Sequence, residues 1–170
     1  MLRLNLGAGR DHRPGYLNVD RIPSETTDIV HDLNKFPYPW GDDSVESILL
    51  RHVLEHVDDI RAIMDELWRI LVPAGLLEIY VPHFSHFQAF THPEHRHAFH
   101  YNSLNMITPN AAEPYTDHLW NIKEVELHFT PPLLGHFFNR HKFIYTSTIL
   151  AYLFPAYEIK YLLTSIKPKR

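Results

Sequence analysis

Three apolar runs in the first thirty-two residues each stop at a glycine or an aspartate. Leu2 to Leu6 alternates apolar and polar residues and runs into Gly7-Ala8-Gly9. Tyr16-Leu17-Asn18-Val19 ends in Asp20, and Asp28-Ile29-Val30-His31 ends in Asp32. Short runs bounded by turn formers read as strands. Val45 to Leu50, rich in leucine and β-branched residues, has the pattern of a strand buried on both faces. A helix follows: Asp58 or Asp59 caps it, and Ile60, Ile63, Leu67, Ile70 and Leu71 recur at helical spacing, with Met64 and Trp68 widening the stripe. Pro73-Ala74-Gly75 is expected to stop it, and Leu76 to Val81 reads as a further buried strand closed by Pro82. Strands alternating with Gly- or Asp-bearing loops and a helix predict a largely parallel sheet with helical layers.

The second half is less periodic. Residues 83–118 read as loop with short helical pieces, Lys123 to Phe129 as a strand, Leu133 to Leu153 as helical after Pro131-Pro132, and Glu158 to Ile166 as a last strand. There is no internal repeat. At 170 residues the chain is sized for one domain, residues 1–170, with 1–82 as a ligand-binding half and 83–170 as a substrate-side half. A net charge of −4 argues against a protein that binds nucleic-acid phosphates, and the basic tail Lys167-Pro168-Lys169-Arg170 reads as a solvated end. Cysteine is absent, which removes disulfides and thiolate metal sites and fits a reducing compartment. No signal-peptide core follows Met1, and the longest apolar stretch, Thr148 to Tyr157, is well short of the roughly 20 residues that span a bilayer. The expectation is a cytoplasmic chain with no membrane span and no nucleic-acid partner.

Leu6-Gly7-Ala8-Gly9 and Asp20, eleven residues after Gly9, form the first chemical constellation. Glycines after a strand let backbone approach a ligand, and an acid at the next strand tip can accept both hydroxyl protons of a ribose. Asp32-Leu33 is a second acid at a strand end, able to receive an adenine amine with the leucine against the ring. Arg51-His52-Val53-Leu54-Glu55-His56-Val57-Asp58 then joins a helix ending Arg69-Ile70-Leu71-Val72-Pro73-Ala74-Gly75 and a strand ending Val81-Pro82.

In that order these pieces resemble the class I S-adenosylmethionine-dependent methyltransferases of the type 11 group, over residues 3–82. The resemblance implies an α/β fold: a three-layer Rossmann-like sandwich, mainly parallel, with an antiparallel C-terminal hairpin. It implies S-adenosylmethionine as cofactor, bound by Leu6, Gly7, Ala8, Gly9, Asp20 with Arg21 beside it, Asp32, Leu33, Arg51 and His52. It also implies methyl transfer to a small-molecule or lipid-like acceptor. His83, His86 and His95, which follow the fifth strand, are the candidate catalytic bases. Three departures stand out. Asn5 occupies a position where the family usually has an acid, Arg10 replaces its third glycine, and the ten residues between Gly9 and Asp20 are too few for the usual helix.

Other readings compete. His52-Val53-Leu54-Glu55-His56 also matches H-x-x-E-H, the inverted zincin pattern, with His83, His86 or a later glutamate as third ligand and peptide hydrolysis as the activity. The missing helix also suits a degenerate Rossmann-like binding protein. Six histidines lie between His83 and His100; their spacing fits no standard metal site, and no metal is assigned. The aromatic residues Phe129, Phe137, Phe138, Phe143, Tyr145, Tyr152, Phe154 and Tyr157 read as core and a homodimer contact, with a hydrophobic acceptor pocket as the alternative.

Overall fold

A computed structural model describes residues 1–168. The strands form where the apolar runs predict: β1 (Leu2–Leu6), β2 (Leu17–Asp20), β3 (Ile29–Val30), β4 (Val45–Arg51), β5 (Leu71–Pro82), β6 (Trp120–His128) and β7 (Glu158–Ser165). They make one sheet in the order β3-β2-β1-β4-β5-β7-β6. The first five strands are parallel, and β7 lies antiparallel between β5 and β6. The expected antiparallel C-terminal pair is present, but its strands are joined by residues 129–157 rather than by a tight turn. Ile48, Leu49 and Leu50 are all buried, so β4 is covered on both faces.

Helix α1 (Ile60–Ile70) crosses between β4 and β5. Asp59 accepts from the Ala62 N–H at its start, and Ile63, Met64, Leu67 and Ile70 are buried. Its end departs from expectation. Leu71 is already extended backbone, and Pro73-Ala74-Gly75 forms an irregularity inside β5, where the pairing jumps from Val45–Leu71 to Ser47–Leu76. Ala74, rather than the glycine, takes the positive φ of 60°. The last helical carbonyls are satisfied by Lys167, whose ammonium donates to Arg69 O at 3.0 Å and Leu71 O at 2.6 Å over the face of Trp68. Lys167 is therefore a buried cap and not part of a solvated tail, because a cation at a helix C-terminus offsets the dipole and the orphan carbonyls together. Lys169 and Arg170 lie outside the described residues.

The single helical stretch expected over 133–153 is three short helices: α3 (Leu133–Arg140), α4 (Lys142–Thr146) and α5 (Leu150–Leu153), after a short α2 (Gln88–Thr91). Thr146 and Thr148 hydroxyls bond back to the Lys142 and Ile144 carbonyls, which competes with helix continuation around Ser147. Phe129, Phe138 and Tyr145 pack in the core with ring centroids about 5 Å apart. Phe137, Phe143, Tyr152 and Phe154 are exposed. These aromatic residues thus supply both core and outer surface.

No helix links β1 to β2. A buried amide network holds that connection: Asn5 Nδ2 donates to Asp11 O at 2.7 Å and to Asn18 Oδ1 at 3.0 Å, while Asn18 Nδ2 donates to Asp28 Oδ2 at 3.0 Å. Asn5 must donate here, which a carboxylate cannot do, and this accounts for the amide where an acid is usual.

Candidate active site

The carboxyl ends of β1, β2, β3 and β4 border a cleft of about 510 Å³. Gly7, Gly9, Asp20, Arg21, Asp32, Leu33 and His52 line it, so the two strand-tip carboxylates share one cavity. Gly7 has φ 68°, and a Cβ there would come within 2.4 Å of Val53 Cγ2; only glycine lets β1 pass under the wall of the cleft. Gly9, at φ 53°, donates its N–H to Asp20 Oδ2 at 2.8 Å, and Ile22 N–H donates to Asp20 Oδ1 at 2.9 Å. Each oxygen keeps a lone pair for a ligand hydroxyl. Leu6 and Ala8 are buried behind this surface and support it without lining it. Sequence reasoning missed His31, Ile22, Asn34, Val53, Val57 and Glu94, which also face the cleft. His31 stands beside Asp32 in the same strand-end motif; Glu94 arrives from the other half of the chain and meets Arg21 at 3.4 Å across the rim.

Arg51 faces the neighbouring cavity instead. That pocket, about 490 Å³, is lined by Arg51, His52, Glu55, His56, His92, His95 and Glu158 among others. His52, His56 and His92 border both cavities. His52 leaves β4 at φ 55°, a conformation that histidine adopts more readily than most residues but that still carries strain. The turn aims its ring between two buried carboxylates: Nε2 lies 2.9 Å from Glu158 Oε1 and Nδ1 lies 3.3 Å from Glu55 Oε1. Hydrogen bonding to Glu158, then to Glu55, raises the His52 pKa to about 9, so the ring is an imidazolium at neutral pH. Glu158 is only 2% exposed and also accepts from His128 Nδ1 at 2.9 Å. Burial pushes its carboxyl up, but the bonds from His52 and His128 outweigh that and hold it below the usual range.

Residues 83–100 wrap onto this pocket because Arg96 N–H donates to Glu55 O at 2.7 Å and His97 Nε2 donates to Val57 O at 2.8 Å. Of the three candidate bases, His95 reaches the pocket. His83 does not: it is fully buried, its Nδ1 bonds Ser85 Oγ at 2.8 Å, and burial lowers its pKa to about 3. An imidazole sealed in the core has no path to a substrate proton. His86 sits outside both linings, near Tyr157 at 6.5 Å between ring centroids. The inverted zincin arrangement is not formed. His52 through Asp59 is turn, α1 begins only at Ile60, and both His52 ring nitrogens face glutamates.

Residues 9–79 match the family described as Methyltransferase domain. The fold is similar to that of solved methyltransferases at low identity. An S-adenosylmethionine-dependent methyltransferase from Mesorhizobium loti is 14% identical with a TM-score of 0.61, over 96% of this chain and 90% of that one. One from Archaeoglobus fulgidus is 14% identical with a TM-score of 0.63, over 95% and 85%. Haemonchus contortus phosphoethanolamine N-methyltransferase 2, in complex with S-adenosyl-L-methionine, is 14% identical with a TM-score of 0.63, over 99% of this chain and 49% of that one. No curated protein sequence matches the chain. The methyltransferase resemblance read in the sequence is met by the family match over residues 9–79, and the mainly parallel, helix-flanked sheet is the fold of those solved structures.

Proposed function

We propose that the chain binds S-adenosylmethionine across Gly7, Gly9, Asp20, Asp32 and Leu33 and transfers its methyl group to a small polar acceptor in the adjoining pocket. One observation carries this reading: glycine backbone and two strand-tip carboxylates border a single open cleft that meets a second cavity along His52, His56 and His92. The residues present fit the cofactor. Gly7 and Gly9 leave backbone accessible, Asp20 retains acceptor capacity for ribose hydroxyls, and Leu33 offers an apolar contact beside Asp32.

The bound cofactor supplies the electrophilic methyl group. The protein's task is then to align donor and acceptor and to exclude water. Arg51 and the imidazolium of His52 give the acceptor side a positive edge, and Glu158 fixes the orientation of both, at 3.7 Å from Arg51 and 2.9 Å from His52. His95, whose Nδ1 faces Ala89 O at 3.2 Å, lines the same pocket. The charged side chains that border the pocket, Arg51, His52, Glu55 and Glu158, support a small molecule over a lipid as acceptor. On the far side, Leu133, Phe137, Phe143, Ile149 and Tyr152 are exposed and suit contact with a second copy of the chain, which sedimentation would reveal as a dimer.

Calorimetric titration with S-adenosylmethionine and with its demethylated product tests the reading. Binding of both, weakened roughly 10- to 30-fold in Asp20→Ala, is the expected result. Heat from neither ligand would leave a Rossmann-like scaffold without this chemistry.

A further inference from the structure

His56, His92 and His95 are brought together by the fold, although the second follows the first by thirty-six positions. One ligand nitrogen from each ring lies within 4.8 Å of the other two. The rings stand around a common centre: His56 meets His92 at 5.1 Å and His95 at 4.6 Å between centroids, both near perpendicular, while His92 and His95 stack at 5.2 Å. Nothing in the methyl-transfer reading requires three imidazoles at one point.

Their surroundings also suit a cation. His56 Nδ1 is buried and has no hydrogen-bond partner. An orphaned ring nitrogen of that kind is costly unless something occupies it. His95 Nδ1 approaches Ala89 O at 3.2 Å, so that nitrogen is the donor and Nε2 is left as the free lone pair. A backbone carbonyl behind a ligating imidazole is the usual way its tautomer and orientation are fixed. The one contact of His92 Nδ1 is a long one, 3.4 Å to the Glu94 N–H, and it is given up at little cost.

We infer that His56, His92 and His95 form a three-histidine site for a divalent transition-metal ion of the zinc class, with its open position facing the acceptor pocket. Imidazole nitrogens select zinc, nickel, copper or iron over magnesium and calcium. At zinc–nitrogen distances of 2.0–2.1 Å, tetrahedral ligands lie about 3.4 Å apart. The present separations, 4.8 Å at most, close to that value by no more than about 1.4 Å, and His92 is on the exposed turn around Pro93 and Glu94, where such movement is inexpensive. Three protein ligands leave a fourth position, and these residues line the pocket with Arg51, His52 and Glu158. Resting on the methyl-transfer reading, that position would take an oxygen donor of the acceptor, which narrows the acceptor to a hydroxyl- or carboxylate-bearing molecule.

The test uses the whole chain, stripped with a chelator and dialysed. Zn²⁺ is titrated by calorimetry and Co²⁺ by its visible absorption. One equivalent of each is expected, with the intense visible band of a four-coordinate cobalt centre. His92→Ala and His95→Ala are each expected to weaken Zn²⁺ binding by at least about tenfold, while His136→Ala, an exposed histidine on α3, leaves it unchanged. Absence of a stoichiometric event, or equal affinity in wild type, His92→Ala and His95→Ala, would overturn the site. S-adenosylmethionine is titrated into the same metal-free protein. If it binds and Zn²⁺ does not, only the metal site falls; if Zn²⁺ binds and it does not, the site stands and the methyl-transfer reading falls.

Discussion

The two adjoining cavities are built on opposite principles. The cleft at the ends of β1 to β4 is made of backbone and strand-tip side chains, most of them within a few residues of a turn in the first third of the chain. Its neighbour is made of buried or half-buried charges drawn from the end of β4, the 88–95 segment and the start of β7. In the first, shape comes from what glycine leaves out. In the second, each charged group is held by another, so that Glu158 cannot be changed without disturbing His52, His128 and Arg51. The difference teaches that a ligand cradle can be written locally, whereas a charged pocket is a property of the finished fold.

The largest effect should fall on the second cavity. Glu158→Ala removes a buried carboxylate shared by two histidines and is expected to cost about 3 kcal/mol of stability, toward the low end for a broken buried pair because His52 is partly solvated. Urea unfolding measures it, and S-adenosylmethionine affinity should change little. A loss of cofactor binding in a folded Glu158→Ala protein would erase the distinction between the cavities. Asn5→Asp comes next. It sets a carboxylate against the Asp11 carbonyl and Asn18 Oδ1, acceptor against acceptor, for about 2 kcal/mol. Equal stability of Asn5→Asp and wild type would remove the explanation given for the amide.

Asp20→Ala should act in the reverse sense. Cofactor affinity is expected to drop by about 1.5–2 kcal/mol, roughly 10- to 30-fold, from lost charge-assisted hydrogen bonds. The calorimetric constant reads this directly; an unchanged constant would move the cofactor out of the cleft. The smallest effect is a pH dependence. His52 has a folded pKa of about 9, above its ordinary value near 6.5. Its contribution is therefore complete below about pH 6.5 and disappears as pH rises through about 9. With the His52 side chain 45% exposed, screening leaves about 1 kcal/mol. Urea midpoints from pH 6.5 to 9.5 should decline in wild type and stay flatter in His52→Asn, a residue that tolerates the same positive φ. Parallel slopes for the two proteins would show that the clamp is not what titrates.

The same contrast explains what the sequence disclosed. Gly7, Gly9, Asp20 and Asp32 could be read because strand ends, turn residues and acids are adjacent in the chain. Most of the sheet was legible for that reason, as was the cap of α1 at Asp59. The role of Lys167 was not, because a tail lysine reveals its carbonyl partners only once β7 has carried it beneath α1. Glu55, His128 and Glu158 were invisible as a group, being brought together by β7 inserting between β5 and β6. His83 misled because its position after β5 resembles that of a pocket residue, whereas the bridge to Phe99 draws it inward. Leu133 to Leu153 has an apolar helical pattern, but threonine hydroxyls interrupt it.

His52, His56 and His92 form a common wall between the cavities, and Arg21 reaches Glu94 across the outer rim. A molecule that shifts those three rings from one side alters the space offered on the other. Thermodynamic reciprocity then requires that whatever the first occupant does to the affinity of the second, the second does equally to the first. The partition, and not either chamber alone, sets how strongly two such occupants would help or hinder one another.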